Sequence, residues 1–93
     1  MATFSRLLEV DPVHAIFVMI KCELGKTYQV ANTIVEDIEE TSEVYSVSGQ
    51  WDLLAKFYVK DVKDIGRFIC DKVQVTEGVR ETFTIDTFNA FVA

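Results

Sequence analysis

The residues of this chain best suited to chemistry lie in one short segment, Gly49-Gln50-Trp51-Asp52. A glycine can adopt a positive φ or let another molecule come close to the backbone. The carboxylate of Asp52 can accept hydrogen bonds from turn amides or bind a cationic group. Apolar stretches of strand type flank the segment on both sides. It therefore predicts a β-hairpin turn, with the edge of a small-ligand site as the functional alternative.

Outside that segment the chain has few of the groups that catalysis requires. His14 is the only histidine, so neither a zinc site with two histidines nor a Cys–His dyad is indicated, and we expect a surface or capping residue. Cys22 and Cys70 are far apart and belong to no CxxC motif, which is typical of buried apolar thiols. We expect no catalytic residue, no metal site and no cofactor, and hence no enzyme.

Length and charge narrow the class of protein further. The chain has 93 residues, enough for one domain, and a formal net charge of −6. Nucleic-acid affinity comes largely from Lys and Arg that displace counterions, so an acidic chain is not expected to bind DNA or RNA directly. Residues 15–20 are apolar but far too few to span a bilayer, and the N-terminus has no secretory leader pattern. We expect no membrane association and a cytoplasmic location.

Four segments have the pattern of β-strands. Residues 15–22 are apolar on both faces, which predicts a central strand covered on both sides. Residues 44–47 and 53–59 flank the glycine turn, and residues 79–88 alternate Phe83 and Ile85 with polar side chains.

Two segments have the pattern of amphipathic helices. The first follows Thr27 as N-cap. An acidic run at residues 36–40 predicts a solvated face, with contact to a basic partner surface as the alternative. The apolar stripe of this helix is Ala31, Ile34, Val35 and Ile38. The second follows Asp61 as N-cap, and residues 76–78 end it. Its stripe is Val62, Ile65, Phe68, Ile69 and Val73, with Gly66 inside the helix, where a glycine suggests close packing.

The order of these elements predicts an α+β protein with a ferredoxin-like βαββαβ sandwich. Right-handed crossovers place both helices on one face of a four-stranded antiparallel sheet. Residues 1–13 form an N-terminal arm and residues 14–93 the domain. The second sheet face is also apolar, and an exposed apolar face of that size indicates association. We expect at least a dimer, with sheet facing sheet as in a dimeric α+β barrel, or with sheet edges continued between subunits.

The order and spacing of several short motifs resemble the effector-binding (RAM) domain of the Lrp/AsnC family of transcriptional regulators. The Gly-x-x-Asp turn of Gly49 to Asp52 precedes a Leu-Leu strand, as in that family. Glu77-Gly78-Val79 matches the entry to the last strand, which continues as Thr82-x-Thr84. The likeness extends over residues 15–88. The N-terminal helix-turn-helix domain of typical members does not fit in the dozen residues before the first strand, so the chain resembles a stand-alone effector domain.

The resemblance implies an amino-acid effector bound between dimers that assemble into octamers or decamers. Gly49 would let the ligand reach backbone groups, and Asp52 would pair with its ammonium group. Co-assembly with full-length Lrp/AsnC regulators is a further implied partnership. The ligand site implied by the family comprises Ser48, Gly49, Gln50, Trp51, Asp52, Thr82 and Thr84.

Two alternatives use the same fold. A dimeric α+β-barrel enzyme of monooxygenase type would need a cofactor or a polar catalytic set inside the domain. A ligand-free oligomerisation module would need only the apolar sheet face.

Overall fold

The alternating apolar positions of the predicted strands produce a single antiparallel sheet. A computed structural model describes residues 13–60 and 62–93 of the chain. The strands are β1 (His14–Cys22), β2 (Thr41–Ser46), β3 (Leu53–Val59) and β4 (Val79–Asp86), in the spatial order β2-β3-β1-β4. β1 and β3 are therefore central, as the sequence predicts. This confirms the four-stranded α+β fold.

Two helical segments connect the strands. Helix α1 covers Thr27–Asp37. The second segment, α2, has three consecutive parts: a 3-10 turn at Val62–Asp64, an α-helical turn at Ile65–Phe68 and a π-helical turn at Ile69–Val73. None of the helices in the described residues has the length and hydropathy that a bilayer crossing requires.

The core lies between the sheet and the two helices. Every second residue of β1 is buried from Ile16 to Cys22, and every second residue of β3 is buried from Leu53 to Val59. Val30 and Ile34 of α1 and Val73 of α2 are fully buried against them. Every buried side chain among the described residues is apolar, Cys22 included, so burial of apolar surface stabilises this core.

The stripe predicted for α1 is rotated by about one residue position. Val30 is fully buried, whereas Val35 is 56% exposed. Ile34 and Ile38 are buried as predicted, and Ala31 packs at the margin. Thr27 is not the N-cap: the helix begins at Thr27, Lys26 holds the cap position, and no side chain caps the helix. The Thr27 hydroxyl lies beside the Cys22 thiol instead.

The prediction for α2 also needs correction. Val62 is 53% exposed because it lies in the 3-10 turn, whose pitch turns it away from the core. Gly66 has open space around its Cα, so close packing does not explain it. Cys70, predicted to be buried, is exposed. The proposed N-cap Asp61 and the arm before Val13 lie outside the described residues.

The last strand ends two residues earlier than predicted. Side-chain hydrogen bonds of Asp86 and Thr87 with the start of β1 replace the strand pairing there. His14 Nε2 lies 2.5 Å from Asp86 Oδ1, which also accepts a hydrogen bond from the Thr87 amide. Thr87 Oγ1 donates to the Ala15 carbonyl at 2.6 Å. The acidic residues at the end of α1 and just after it are solvated as expected, except that Glu40 pairs with Lys72.

The sheet face away from the helices is also apolar. Phe17 and Met19 of β1 lie across from residues of β3 and β4 that share this face. Phe83 is 56% exposed, Ile85 41% and Tyr58 40%. We call this surface, made by Phe17, Met19, Leu54, Tyr58, Phe83 and Ile85, the open face.

Two glycines provide a test of this packing. Gly78 has φ +96°, and a Cβ there would lie 2.7 Å from Val30 Cγ2. Gly78→Ala should lower the free energy of unfolding by about 1–3 kcal/mol, through backbone strain and overpacking. Gly66→Ala, in a helix with free space, should raise it by about 0.4–1 kcal/mol. Urea denaturation of both variants measures the difference, and shifts of equal sign would contradict the packing described.

Candidate functional site

The predicted turn connects β2 and β3 and is closed by one backbone hydrogen bond. The Val47 amide donates to the Asp52 carbonyl at 3.0 Å. Between them Gly49 has φ +104°, a left-handed conformation that favours glycine, and nothing lies within 4 Å of the position a Cβ would take. The backbone of the turn is therefore open to solvent on that side. Ser48 and Gln50 are exposed next to it.

Asp52 anchors this turn to the end of β1. Its amide donates to the Ile20 carbonyl at 3.0 Å, and its Oδ2 accepts from the Cys22 amide at 2.8 Å. Lys21 Nζ donates to the Gln50 carbonyl at 2.9 Å and ties down the tip. The carboxylate thus satisfies a backbone donor at the irregular end of β1, where the register with β4 shifts between Lys21 and Cys22. Oδ1 takes no part in that bond.

Trp51 connects the turn to the open face. Its ring stacks on Phe83 of β4, with centroids 6.2 Å apart and planes 30° apart. The turn therefore reaches past the end of β1 to the far edge of the sheet. Offset-stacked aromatic pairs add about 0.5–1.5 kcal/mol beyond the area they bury. The tryptophan is half-buried, so part of its surface remains accessible to solvent.

Thr82 and Thr84 lie on the other side of β4. Their cross-strand partners are Ile20 and Val18, which face the helices. Thr82 Oγ1 accepts a hydrogen bond from Gln74 Nε2 at 2.9 Å. Within one protomer the structure brings the turn residues together and places the two threonines on the opposite sheet face from the Trp51–Phe83 stack.

The thiol of Cys22 lies next to this site but is not poised to react. Burial raises its pKa, and the Asp52 carboxylate raises it further, against a smaller lowering by the Thr27 hydroxyl. A raised pKa favours the protonated thiol, which is a weaker nucleophile than the thiolate, so Cys22 is not suited to thiolate chemistry. The described residues contain no cluster of three or more metal-binding side chains.

Sequence reasoning missed three residues of this arrangement. Lys21, Cys22 and Phe83 reach the turn only because β1 lies between β3 and β4. Lys21 did carry a signal, since it is the one charged residue of an otherwise apolar strand. The hydrogen bond between the Asp52 carboxylate and the Cys22 amide has no signal in the sequence, because the two residues are 30 positions apart.

The sequences of known proteins relate this chain to a family of regulators. Residues 15–92 match the family model of the Lrp/AsnC ligand binding domain. The HTH-type transcriptional regulator PYRAB16920 of Pyrococcus abyssi is 36% identical over 61 residues, which are 66% of this chain and 40% of that protein. The chain spans less than half of the length of the first curated relatives it matches.

Solved structures agree with the fold. TTHA0845 from Thermus thermophilus superposes with a TM-score of 0.77 at 29% identity, covering 88% of this chain and all of that one. The regulator NMB0573 of Neisseria meningitidis, solved as an L-Met complex, gives 0.79 at 14% identity over 92% of this chain and 56% of its own. The second likeness concerns the fold alone.

The anchoring role of Asp52 can be tested through stability. Asp52→Ala leaves the half-buried Cys22 amide without its acceptor and should lower the free energy of unfolding by about 1–3 kcal/mol. Asp52→Asn keeps an amide oxygen at that position and should stay close to the parent chain. Urea unfolding at neutral pH gives both values. Equal losses for Ala and Asn would show that the charge, and not the hydrogen bond, matters.

Proposed function

Because the chain belongs to the Lrp/AsnC ligand-binding domain family, we propose that it is an effector-binding and oligomerisation domain for a small molecule, an α-amino acid. The observation that carries this proposal is the anchored turn, which holds an open glycine backbone, a carboxylate oxygen and a half-exposed tryptophan within four residues. Such a group of polar and apolar contacts on a rigid frame suits a small zwitterion.

In the proposed complex each part of the ligand has its own partner. The ammonium group pairs with Asp52 Oδ1, and the carboxylate meets backbone amides around Gly49. Ser48 and Gln50 flank the ligand, and the Trp51 ring covers its apolar part. Thr82 and Thr84 enter the site only from a neighbouring dimer, since in their own protomer they lie on the helix side of β4.

The proposed dimer covers the open face with that of a second copy. Lys56 brings a positive charge to this face, with Nζ 4.9 Å from the Tyr58 ring centroid and 5.8 Å from that of Phe17. Cation–π contacts and the nearby Glu43 compensate the charge where the face becomes buried. Hydrogen bonds from Ser42 and Tyr45 lower the pKa of Glu43, which favours its anionic form.

Ligand binding regulates only if it favours one assembly over another. We propose that dimers associate into octamers or decamers with the effector between them, alone or together with full-length Lrp/AsnC regulators. A coupling of about 1–3 kcal/mol is typical of such linkage. Because the net charge is −6, we propose that any contact with DNA is made by a partner protein and not by this chain. The apolar interior argues against a catalytic role.

One observation favours a second candidate, a ligand-free oligomerisation module. Asp52 Oδ2 already has a structural task in the single chain, and that task alone would account for the residue. In that case the turn only stiffens the sheet, and the open face performs the whole function.

A thermal-shift screen against the protein amino acids separates the two candidates. An effector at about a hundredfold over its Kd should add about 2.7 kcal/mol of apparent stability. Asp52→Asn keeps the turn but removes the charge, so it should weaken binding by about tenfold or more. Asp37→Asn, which neutralises an exposed carboxylate at the end of α1, is the matched control and should bind like the parent chain.

Either of two results would count against the effector proposal. One is the absence of a shift with every amino acid. The other is a selective shift that Asp52→Asn and Trp51→Ala leave unchanged, which would place the ligand elsewhere on the domain.

A further inference from the structure

A cleft lies at the opposite end of the sheet from the Gly49 turn. It has a volume of about 550 Å³ and is bordered by the end of β3, the residues before β2 and one side of α2. Small-molecule sites in proteins typically occupy about 300–1,000 Å³. The cleft is built within one protomer and shares no lining residue with the turn.

The wall formed by α2 has an unusual backbone. The Gln74 amide donates to the Ile69 carbonyl at 2.8 Å, which is the i to i+5 bond of a π-helical turn. Such turns are rare and often occur at functional sites. Asp64, Arg67 and Asp71 are spaced by three and four residues, about one helical turn each, and Phe68 follows Arg67; all four line the cleft. The wall therefore presents a cation between two carboxylates, next to an aromatic ring.

Two further charged residues of the cleft, Lys72 and Glu40, are held by an ion pair with each other. Lys72 Nζ lies 3.0 and 3.1 Å from the two carboxylate oxygens of Glu40, a bond that clamps α2 to the turn before β2. Arg67 forms no ion pair with any residue in 13–60 or 62–93. A guanidinium group in this position can bind a carboxylate with two parallel hydrogen bonds.

The apolar part of the cleft is rigid. The Phe68 ring packs edge-on against the buried Phe57, with centroids 5.1 Å apart and planes at 72°. Val59 at the end of β3 is buried beside it. A ligand side chain bound against Phe68 would contact a ring that the core already fixes. Binding would therefore cost little conformational entropy of the protein.

We propose that this cleft is a second small-molecule site, for a zwitterionic amino acid with an apolar side chain. Arg67 binds the ligand carboxylate, Asp64 or Asp71 binds its ammonium group, and the side chain packs on Phe68. The proposal does not depend on the turn being a ligand site, because the two sites lie at opposite ends of the sheet.

Calorimetric titration of the full chain with L-leucine, L-methionine and L-phenylalanine tests this site. Arg67→Gln should weaken binding of at least one of them by about tenfold or more. Arg80→Gln, which removes another exposed arginine, on β4, should leave that binding unchanged. For leucine, 4-methylpentanoate lacks the ammonium group and 3-methylbutylamine lacks the carboxylate, and both should bind more weakly than the amino acid.

The outcomes distinguish this proposal from the preceding one. Binding that Trp51→Ala abolishes and Arg67→Gln spares would overturn the cleft site and support the turn. Binding that Arg67→Gln alone weakens would support the cleft and remove the turn as the site for that ligand. No heat change with any of the three up to about 10 mM would overturn the cleft proposal. Unchanged thermal midpoints of unliganded Arg67→Gln and Arg80→Gln would show that the fold of these two variants is intact.

Discussion

The structure depends on one imbalance: its sheet is apolar on both faces, and its own helices cover only one. β1 buries Ile16, Val18 and Ile20 under the helices and presents Phe17 and Met19 on the other side. A monomeric domain rarely leaves a contiguous apolar surface of more than a few hundred Å² in water. In the proposed function the open face is therefore where assembly begins, and the sites for small molecules lie around its edges.

β3 connects the two candidate sites. It starts at the turn that Asp52 anchors and ends at Val59 in the wall of the cleft. At the turn, the Trp51–Phe83 stack joins a proposed ligand contact directly to the open face, so a ligand that moves the tryptophan also changes the surface that a second copy would meet. This contact is the physical element through which binding and assembly are coupled in the proposed function. Among the described residues, no aromatic stack joins the cleft to β4, the edge strand that Trp51 contacts through Phe83.

Local patterns in the sequence locate the four strands, because β1 and β3 are apolar at nearly every position. β2 is the least accurate: it covers Thr41–Ser46, so it starts three residues before the predicted 44–47 and ends one residue earlier. The same patterns predict the helices less well. In α1 a shift of one position exchanges Val35 for Val30, and in α2 the change from 3-10 to π-helical geometry has no simple periodic signature. The turn itself is predictable from Gly49 and Asp52, whereas its bond to the Cys22 amide and its stack on Phe83 depend on strand order. The charged cleft depends likewise on tertiary placement, since Glu40 and Lys72 are 32 positions apart.

The most direct test of the central claim is an isotope-filtered NOE measurement on a mixture of methyl-labelled and unlabelled chains. If a second copy covers the open face, the methyl groups of Met19, Leu54 and Ile85 should show contacts between chains. The exposed methyl groups of Leu24 and Val35, which lie away from that face, should show none. A sample without contacts between chains, or with contacts only around Leu24 and Val35, would contradict the pairing of open faces.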